Sequence, residues 1–335
     1  MMVTYTILLF ISRIEEIIKK LMFCAAKYHK HVLTKRIRCL CIYIISLIIF
    51  FTILLSTNFL HAHEESKNKP ILTLSNFFSE GWKFGSWEEP AEEPDWSPRF
   101  KLLKISAPVF EREVRMNYSF TNNGDGGKID EHELELELEV PVSRRLLIEV
   151  EPKVLSVSPN DDEEDDHIGF GDTSLLSKVM LLETCNTTLL SVFGAEFPTG
   201  NENHELGSGM TTIITGLGLW RDLGRRFAIH NYFGLDIPAG GKSEEAPDTT
   251  IKYAAALAKT FTSKDTYLFG NLTLFVELNG GSDIGSHSDN TLVSILPGIR
   301  WNLRHGFWLM PGIEFPITNR DEFDNRVWFS VLKDF

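Results

Sequence analysis

Residues 131–142 read EHELELELEVPV, an alternation of charged or polar with apolar side chains that decides the fold. Leu134, Leu136 and Leu138 share one parity, and the glutamates between them share the other. Because successive side chains of a strand point to opposite faces, a strand gives this stretch one apolar and one charged face. A helix would scatter both kinds around its circumference. The stretch therefore predicts a β-strand between an apolar and a polar medium.

The same two-residue period recurs along the rest of the chain. Twelve stretches carry it: 111–121, 132–142, 145–155, 168–182, 187–197, 210–221, 226–237, 249–261, 266–278, 290–302, 306–317 and 325–335. Most have the length of a tilted strand that crosses a bilayer. Strands of soluble sandwich proteins are about half as long. The pattern therefore favours a membrane barrel over a soluble sandwich.

The connections between these stretches alternate in length. The short ones are 143–144, 183–186, 222–225, 263–265 and 303–305, and the longer polar ones are 122–131, 156–167, 198–209, 238–248, 279–289 and 318–324. Outer-membrane barrels have short periplasmic turns and longer outer loops. We therefore predict an all-β, antiparallel up-and-down transmembrane barrel of about 12 strands over residues 110–335. Its expected location is the outer membrane of a Gram-negative bacterium, among outer-membrane lipids and lipopolysaccharide.

The last stretch ends in an aromatic residue. Phe335 follows Phe329 and Val331 in the alternating pattern, although Lys333 interrupts it. Such an end is typical of the signal that the barrel-assembly machinery binds. We expect that machinery as a partner of the newly made chain.

Residues 1–62 differ in charge from the remainder. They hold eight basic and two acidic residues, which leaves 25 basic and 44 acidic side chains in the rest of the chain. An acidic remainder argues against binding nucleic acid. Within 1–62, an uncharged apolar core at 39–60 follows Lys35, Arg36 and Arg38, the layout of a signal or targeting segment. An uncleaved membrane anchor is the alternative.

Residues 63–109 have no regular pattern. Pro90 and Pro94 lie in an acidic stretch that disfavours regular structure. Two interpretations remain open for this segment. It is a periplasmic linker, or it is a plug folded into the lumen and anchored by Trp82, Trp87 and Trp96.

Two short motifs resemble a known family. Gly169-Phe170-Gly171-Asp172-Thr173 opens one stretch, and Phe197-Pro198-Thr199-Gly200 ends the next. Together they are similar to the "MetA-pathway of phenol degradation" putative outer-membrane transporter family, over roughly residues 110–335. The resemblance implies a barrel that passes small solutes, apolar or aromatic ones among them. It carries over no catalytic residue.

The polar parity of the strands predicts a charged lumen. The candidate lumen-lining residues are Arg115, Glu135, Glu137, Glu139, Glu149, Glu151, Lys153, Asp172, Lys178, His230, Asp236, Glu277, Arg300 and Glu314. One interpretation is the wall of a pore or transporter for small solutes, in which excess carboxylates favour cations. The other is a salt-bridged, closed lumen in a structural or surface-binding barrel.

Enzyme and metal motifs are missing from the sequence. It contains no GxSxG, HExxH or CxxC pattern, and Cys185 is the only cysteine outside residues 1–62. The acidic stretch 161–167 could hold Ca²⁺, but it also suits a solvated surface loop. We predict no cofactor, no metal and no enzymatic activity. An outer-membrane hydrolase stays as an alternative, with His230 as its candidate catalytic histidine.

Overall fold

A computed structural model describes residues 70–90, 95–105, 108–123, 129–158, 167–204, 206–241, 248–284, 291–304, 306–319 and 322–335. Thirteen strands lie in this part of the chain: β1 Glu113–Asn123, β2 Ile129–Pro141, β3 Leu146–Ser158, β4 His167–Gly169, β5 Thr173–Glu183, β6 Thr187–Phe197, β7 Met210–Gly224, β8 Phe227–Gly241, β9 Thr249–Thr260, β10 Gly270–Ile284, β11 Thr291–Arg304, β12 Phe307–Pro316 and β13 Asn325–Asp334. Among the described residues, no helix is long and apolar enough to cross a membrane.

The sheet closes on itself. The long strands pair antiparallel in chain order, and β1 also pairs with β13, from Glu113 opposite Asp334 to Asn122 opposite Asn325. β5 pairs with the first part of β3, and the three-residue β4 pairs with the end of β3. β4 and β5 are therefore successive partners of the same strand. The prediction of a twelve-stranded antiparallel barrel is confirmed, since β4 and β5 together take the place of one predicted strand.

Two predicted strands depart from the structure by a break or a late start, while the ends of most others shift by one to four residues. The stretch 168–182 breaks between β4 and β5, where the Asp172 carboxylate accepts the backbone N–H groups of Gly200 (3.0 Å) and Ser208 (2.7 Å). The stretch 266–278 begins at Gly270, because Leu268 has a left-handed φ of 61° and belongs to a turn. Both breaks come from local turns that the apolar period does not reveal.

The placement of polar and apolar side chains is the reverse of that in a soluble protein. On β1, Glu113 and Arg115 are buried inside, while Val114 and Met116 are 42% and 41% exposed on the outside. The same exposed apolar parity continues around the barrel in Leu136, Leu138, Leu175, Leu257, Leu274, Val276, Ile299, Ile313, Phe315, Val327 and Phe329. An apolar outer band around a charged interior requires lipid outside. The protein is therefore a transmembrane barrel of the outer membrane.

Connection lengths separate the two rims. One rim, here the short-turn rim, carries 142–145, 184–186, 225–226, 261–269 and 305–306, together with the start of β1 and the end of β13. The nine-residue connection 261–269 is longer than predicted, while the other four are short. Outer-membrane barrels place such turns in the periplasm. The predicted segment 1–62 and the acidic stretch 161–166 lie outside the described residues.

Candidate functional site

Residues 70–90 and 95–96 run along the short-turn rim. Leu72 and Glu183 exchange two backbone hydrogen bonds of 3.3 and 2.9 Å. Further along, Gly85 donates its N–H to Val142 at 2.9 Å, and Arg226 donates its N–H to Asp95 at 3.1 Å. The segment is thereby fixed to three turns of the rim, between β2 and β3, β5 and β6, and β7 and β8.

Residues 97–105 and 108–111 then contact inward-facing groups of strands around the barrel; we name them the lumen segment. Ser97 donates its N–H to Asp222 of β7 at 2.8 Å. Farther along, Lys104 binds Glu314 of β12 at 2.7 Å, and the Pro108 carbonyl accepts the hydroxyl of Thr188 on β6. A segment that reaches inward groups of separate strands lies inside the barrel.

The tryptophans proposed as anchors are not the buried residues of this region. Trp82 is exposed, and Trp87 and Trp96 are half-buried. The buried apolar side chains are those of Phe100, Leu102, Leu103, Ile105, Val109 and Phe110. The sequence feature that could have located this buried region is the run of apolar residues around Lys101 and Lys104. An acidic lumen requires cations, and the strands supply few.

Lys101 occupies the centre of a buried ion network. Its Nζ lies 2.8 Å from Glu139 Oε1 and 2.5 Å from Glu149 Oε1, and it also binds Glu137. A second ammonium, that of Lys178, lies 2.5 Å from Glu139 and 2.7 Å from Glu149. Burial favours the neutral amine, but the three carboxylates raise the pKa of Lys101 well above its usual range. The network therefore holds two ammonium groups among three carboxylates, and the Arg115 guanidinium adjoins it, 3.9 Å from Glu137.

Glu277 of β10 binds the backbone of the lumen segment. Its carboxylate accepts the N–H groups of Leu103 (2.8 Å), Lys104 (3.2 Å) and Ile105 (3.2 Å). On the other side of the segment, Arg115 of β1 donates to the Leu102 carbonyl at 2.9 Å. Charged side chains thus hold the segment from two directions, through backbone groups as well as through lysines.

The lumen has two different walls. Inward carboxylates are concentrated on β1, β2 and β3, whereas β9 to β13 contribute a buried apolar cluster alongside polar residues such as Glu277, Arg300 and Glu314. The apolar wall packs on the segment through Ala256, Ala258, Phe275, Leu296, Trp308, Met310 and Leu332. The lumen segment matches both walls, with Lys101 on the charged wall and Phe100, Leu103 and Ile105 in the apolar cluster.

A cavity of about 220 Å³ adjoins the lumen segment. Residues 101–105 line it together with Arg115 and four carboxylates of the barrel wall, those of Glu133, Glu135, Glu137 and Glu151. Carboxylate oxygens of Glu135, Glu137 and Glu151 lie within 4.8 Å of one another. We call this space the acidic cavity. Its wall concentrates negative charge beside the point where the segment fills the lumen.

The predicted lumen residues fall into separate groups. Arg115, Glu137, Glu139, Glu149 and Lys178 join the network around Lys101. Glu135 and Glu151 line the acidic cavity, and Glu277 and Glu314 bind the lumen segment.

The remaining predicted residues lie apart from these groups. Lys153 pairs with Glu196 at 3.7 Å, Asp236 pairs with Lys252 at 3.7 Å, and Asp172 binds the loop that follows β6. His230 and Arg300 contact Phe100.

The predicted assembly residues lie at the end of β13. Phe329 is exposed on the outer face, Val331 is half-buried, and Phe335 is exposed while its N–H donates to the Arg112 carbonyl at 3.2 Å. Their role in assembly stays a prediction.

Comparisons with known proteins give distant structural similarity. No protein-family model matches the sequence, and no curated protein is significantly similar to it. An outer membrane channel from Pseudomonas putida F1 is similar in structure with a TM-score of 0.49 and 16% identity, over 70% of this chain and 100% of that one. The NanC porin gives a TM-score of 0.45 and 9% identity, over 67% of this chain and 98% of that one.

Proposed function

We propose that the protein is an outer-membrane channel for small solutes and that its lumen segment is a plug. The observation that carries the proposal is the position of Lys101. A lysine from outside the barrel wall neutralises carboxylates that the wall itself leaves in excess. A barrel with only a structural role could bury apolar side chains there, which is often no less stable than a buried ion pair. Charges held by a separable segment suit a lumen that opens.

Opening exchanges these contacts for water. When the lumen segment leaves, Glu137, Glu139 and Glu149 retain Lys178 and Arg115, and water replaces Lys101. The exposed wall then has an excess of negative charge, to which the acidic cavity adds Glu135 and Glu151. Charge of one sign along a narrow lumen raises the local concentration of counter-ions. The open channel should therefore prefer cations among small inorganic ions.

The resemblance of residues 169–173 and 197–200 to a transporter family supports the same class of function. Within this proposal, the apolar wall from β9 to β13 provides a surface for small solutes with apolar groups. Membership of that family is part of the proposal.

Replacing Lys101 tests the channel proposal. Lys101→Ala removes the ammonium and leaves buried carboxylates under-compensated. Breaking a buried ion pair in this way lowers the free energy of unfolding by about 3–5 kcal/mol. We expect the wild-type protein to be mostly closed in planar bilayers and the variant to spend a much larger share of time conducting. The matched control is Lys83→Ala, which removes an exposed lysine from the rim. Equal, negligible conductance in all three proteins would contradict the channel proposal.

A closed barrel with a structural or surface-binding role is the second candidate. The observation that favours it is the dense filling of the lumen by Lys101, Lys178 and the apolar cluster. Under this alternative, loss of Lys101 lowers stability without producing ion conduction. The hydrolase alternative has no comparable support, because His230 forms no hydrogen bond with a serine or carboxylate among the described residues.

A further inference from the structure

Arg300 and His230 are buried with unused hydrogen-bonding capacity. Arg300 is 2% exposed and His230 is 0% exposed. Within the part of the chain that the structure describes, Arg300 Nε and Nη1 and both ring nitrogens of His230 have no hydrogen-bond partner. Buried donors without partners are rare because each costs free energy. Two such side chains, on β8 and β11, indicate a place where a ligand acceptor can bind.

An aromatic ring of the lumen segment fills the space between them. The Phe100 ring lies 4.5 Å from the Arg300 guanidinium carbon and 5.6 Å from the His230 ring. On its other face, the guanidinium stacks over Trp308 at 3.6 Å. Ala256 and Ala258 belong to the same buried cluster. The surroundings of the Phe100 ring therefore combine an apolar surface with a stacked, planar cation.

Arg300 has only a weak counter-ion. The nearest carboxylate oxygen, Glu111 Oε1, lies 3.8 Å from Nη2, which is beyond hydrogen-bond distance. Burial and the neighbouring Glu113 raise the pKa of Glu111 well above its usual range, which shifts this carboxyl toward its neutral form. Among the described residues, Arg300 therefore has no hydrogen-bonded counter-ion, although Glu111, Glu113 and Asp334 act on its charge through space.

We propose that Arg300, His230 and Trp308 form a binding site for an organic carboxylate with an apolar body about the size of a phenyl ring. A carboxylate oxygen accepts a charge-assisted hydrogen bond from an unpartnered N–H of Arg300. The apolar body takes the place of Phe100 against Trp308. Because ligand and Phe100 compete for one pocket, binding favours release of the lumen segment. The release of the lumen segment that follows from binding rests on the proposed channel function. Binding at the site itself can be measured separately.

Calorimetric titration of the full chain in detergent tests the site. The probe is cyclohexanecarboxylate, with cyclohexanemethanol and acetate as analogues that lack the charge or the apolar body. We expect Phe100→Ala to bind the acid at least tenfold more tightly than wild type, because the competing ring is absent (about tenfold per 1.4 kcal/mol). Both analogues should bind much more weakly than the acid to Phe100→Ala.

Replacing the arginine identifies the contact. In the Phe100→Ala background, Arg300→Gln should remove the preference for the acid over the alcohol, whereas Arg221→Gln, on the opposite face of β7 from buried Trp220, should keep it. Equal binding of acid and alcohol by Phe100→Ala would overturn the proposed site. The proposed site would also be overturned if the Arg300→Gln variant kept the preference for the acid. Heat-dependent mobility in SDS shows that the barrel of this variant is folded.

Conductance separates the two proposals. If Lys101→Ala conducts but cyclohexanecarboxylate neither binds Phe100→Ala nor opens the wild-type channel, the site proposal fails and the channel proposal stands. If the acid binds through Arg300 but no variant conducts, the channel proposal fails and the site remains.

Discussion

At the residue scale, single charged groups hold the lumen segment in place. Glu277 is the clearest example, because one carboxylate accepts three successive backbone N–H groups from residues 103–105. The alternation on β10 predicted that Glu277 points inward. It could not predict the partner, since backbone donors leave no mark in the sequence. Lys101 was missed for a related reason: it lies in a stretch with no period, so no face could be assigned to it.

Glu277→Gln should loosen the lumen segment. The amide keeps one acceptor oxygen but loses the charge. Because its N–H₂ faces the backbone donors, the bound position of the segment loses about 1–3 kcal/mol of free energy. Trypsin should then cleave after Lys101 or Lys104 about tenfold faster, because cleavage follows the population of the open form. The control is Glu133→Gln, a carboxylate of the acidic cavity. Cleavage rates that match in the two variants would show that Glu277 does not hold the segment.

At the element scale, the strands were largely predictable and the turns were not. A two-residue period places every long strand, because one face meets lipid and the other meets charge. The errors fall at Asp172 and Leu268, where a side-chain acceptor and a left-handed φ end the extended conformation. Such features depend on distant partners or on single dihedral angles. Periodicity reports neither of them.

Packing between β10 and β11 depends on a glycine. A Cβ at Gly298 would lie 2.3 Å from the Phe275 ring, whereas a Cβ at Gly281 would have its nearest neighbour at 3.5 Å. Gly298→Ala should therefore displace Phe275 and destabilise the barrel by about 1–3 kcal/mol, while Gly281→Ala should have a smaller effect. Urea unfolding in detergent measures both changes as shifts of the midpoint. A midpoint for Gly298→Ala at or above that of Gly281→Ala would contradict the packing argument.

At the scale of the whole molecule, a closed barrel with an apolar outside contains a segment of its own chain. Its charged wall binds Lys101, and its apolar wall binds Phe100 and its neighbours. The sequence predicted the barrel and left the position of residues 63–109 open between linker and plug. The segment's place depends on complementarity between two parts of the chain, which becomes visible only when the strands are closed into a lumen.

A reversible tether tests most directly whether movement of the lumen segment opens the barrel. A Cβ at Gly218 would lie 3.3 Å from the Pro108 Cβ, close to the separation in a disulfide of about 3.5–4.5 Å. Pro108→Cys and Gly218→Cys are combined with Lys101→Ala and with serine at Cys24, Cys39, Cys41 and Cys185, and conductance is recorded before and after adding reductant. The two proteins with only one of the introduced cysteines are controls. The account predicts a closed barrel when the disulfide is formed and ion conduction after it is reduced. Equal conductance in the two states, with the disulfide verified by mass, would contradict it.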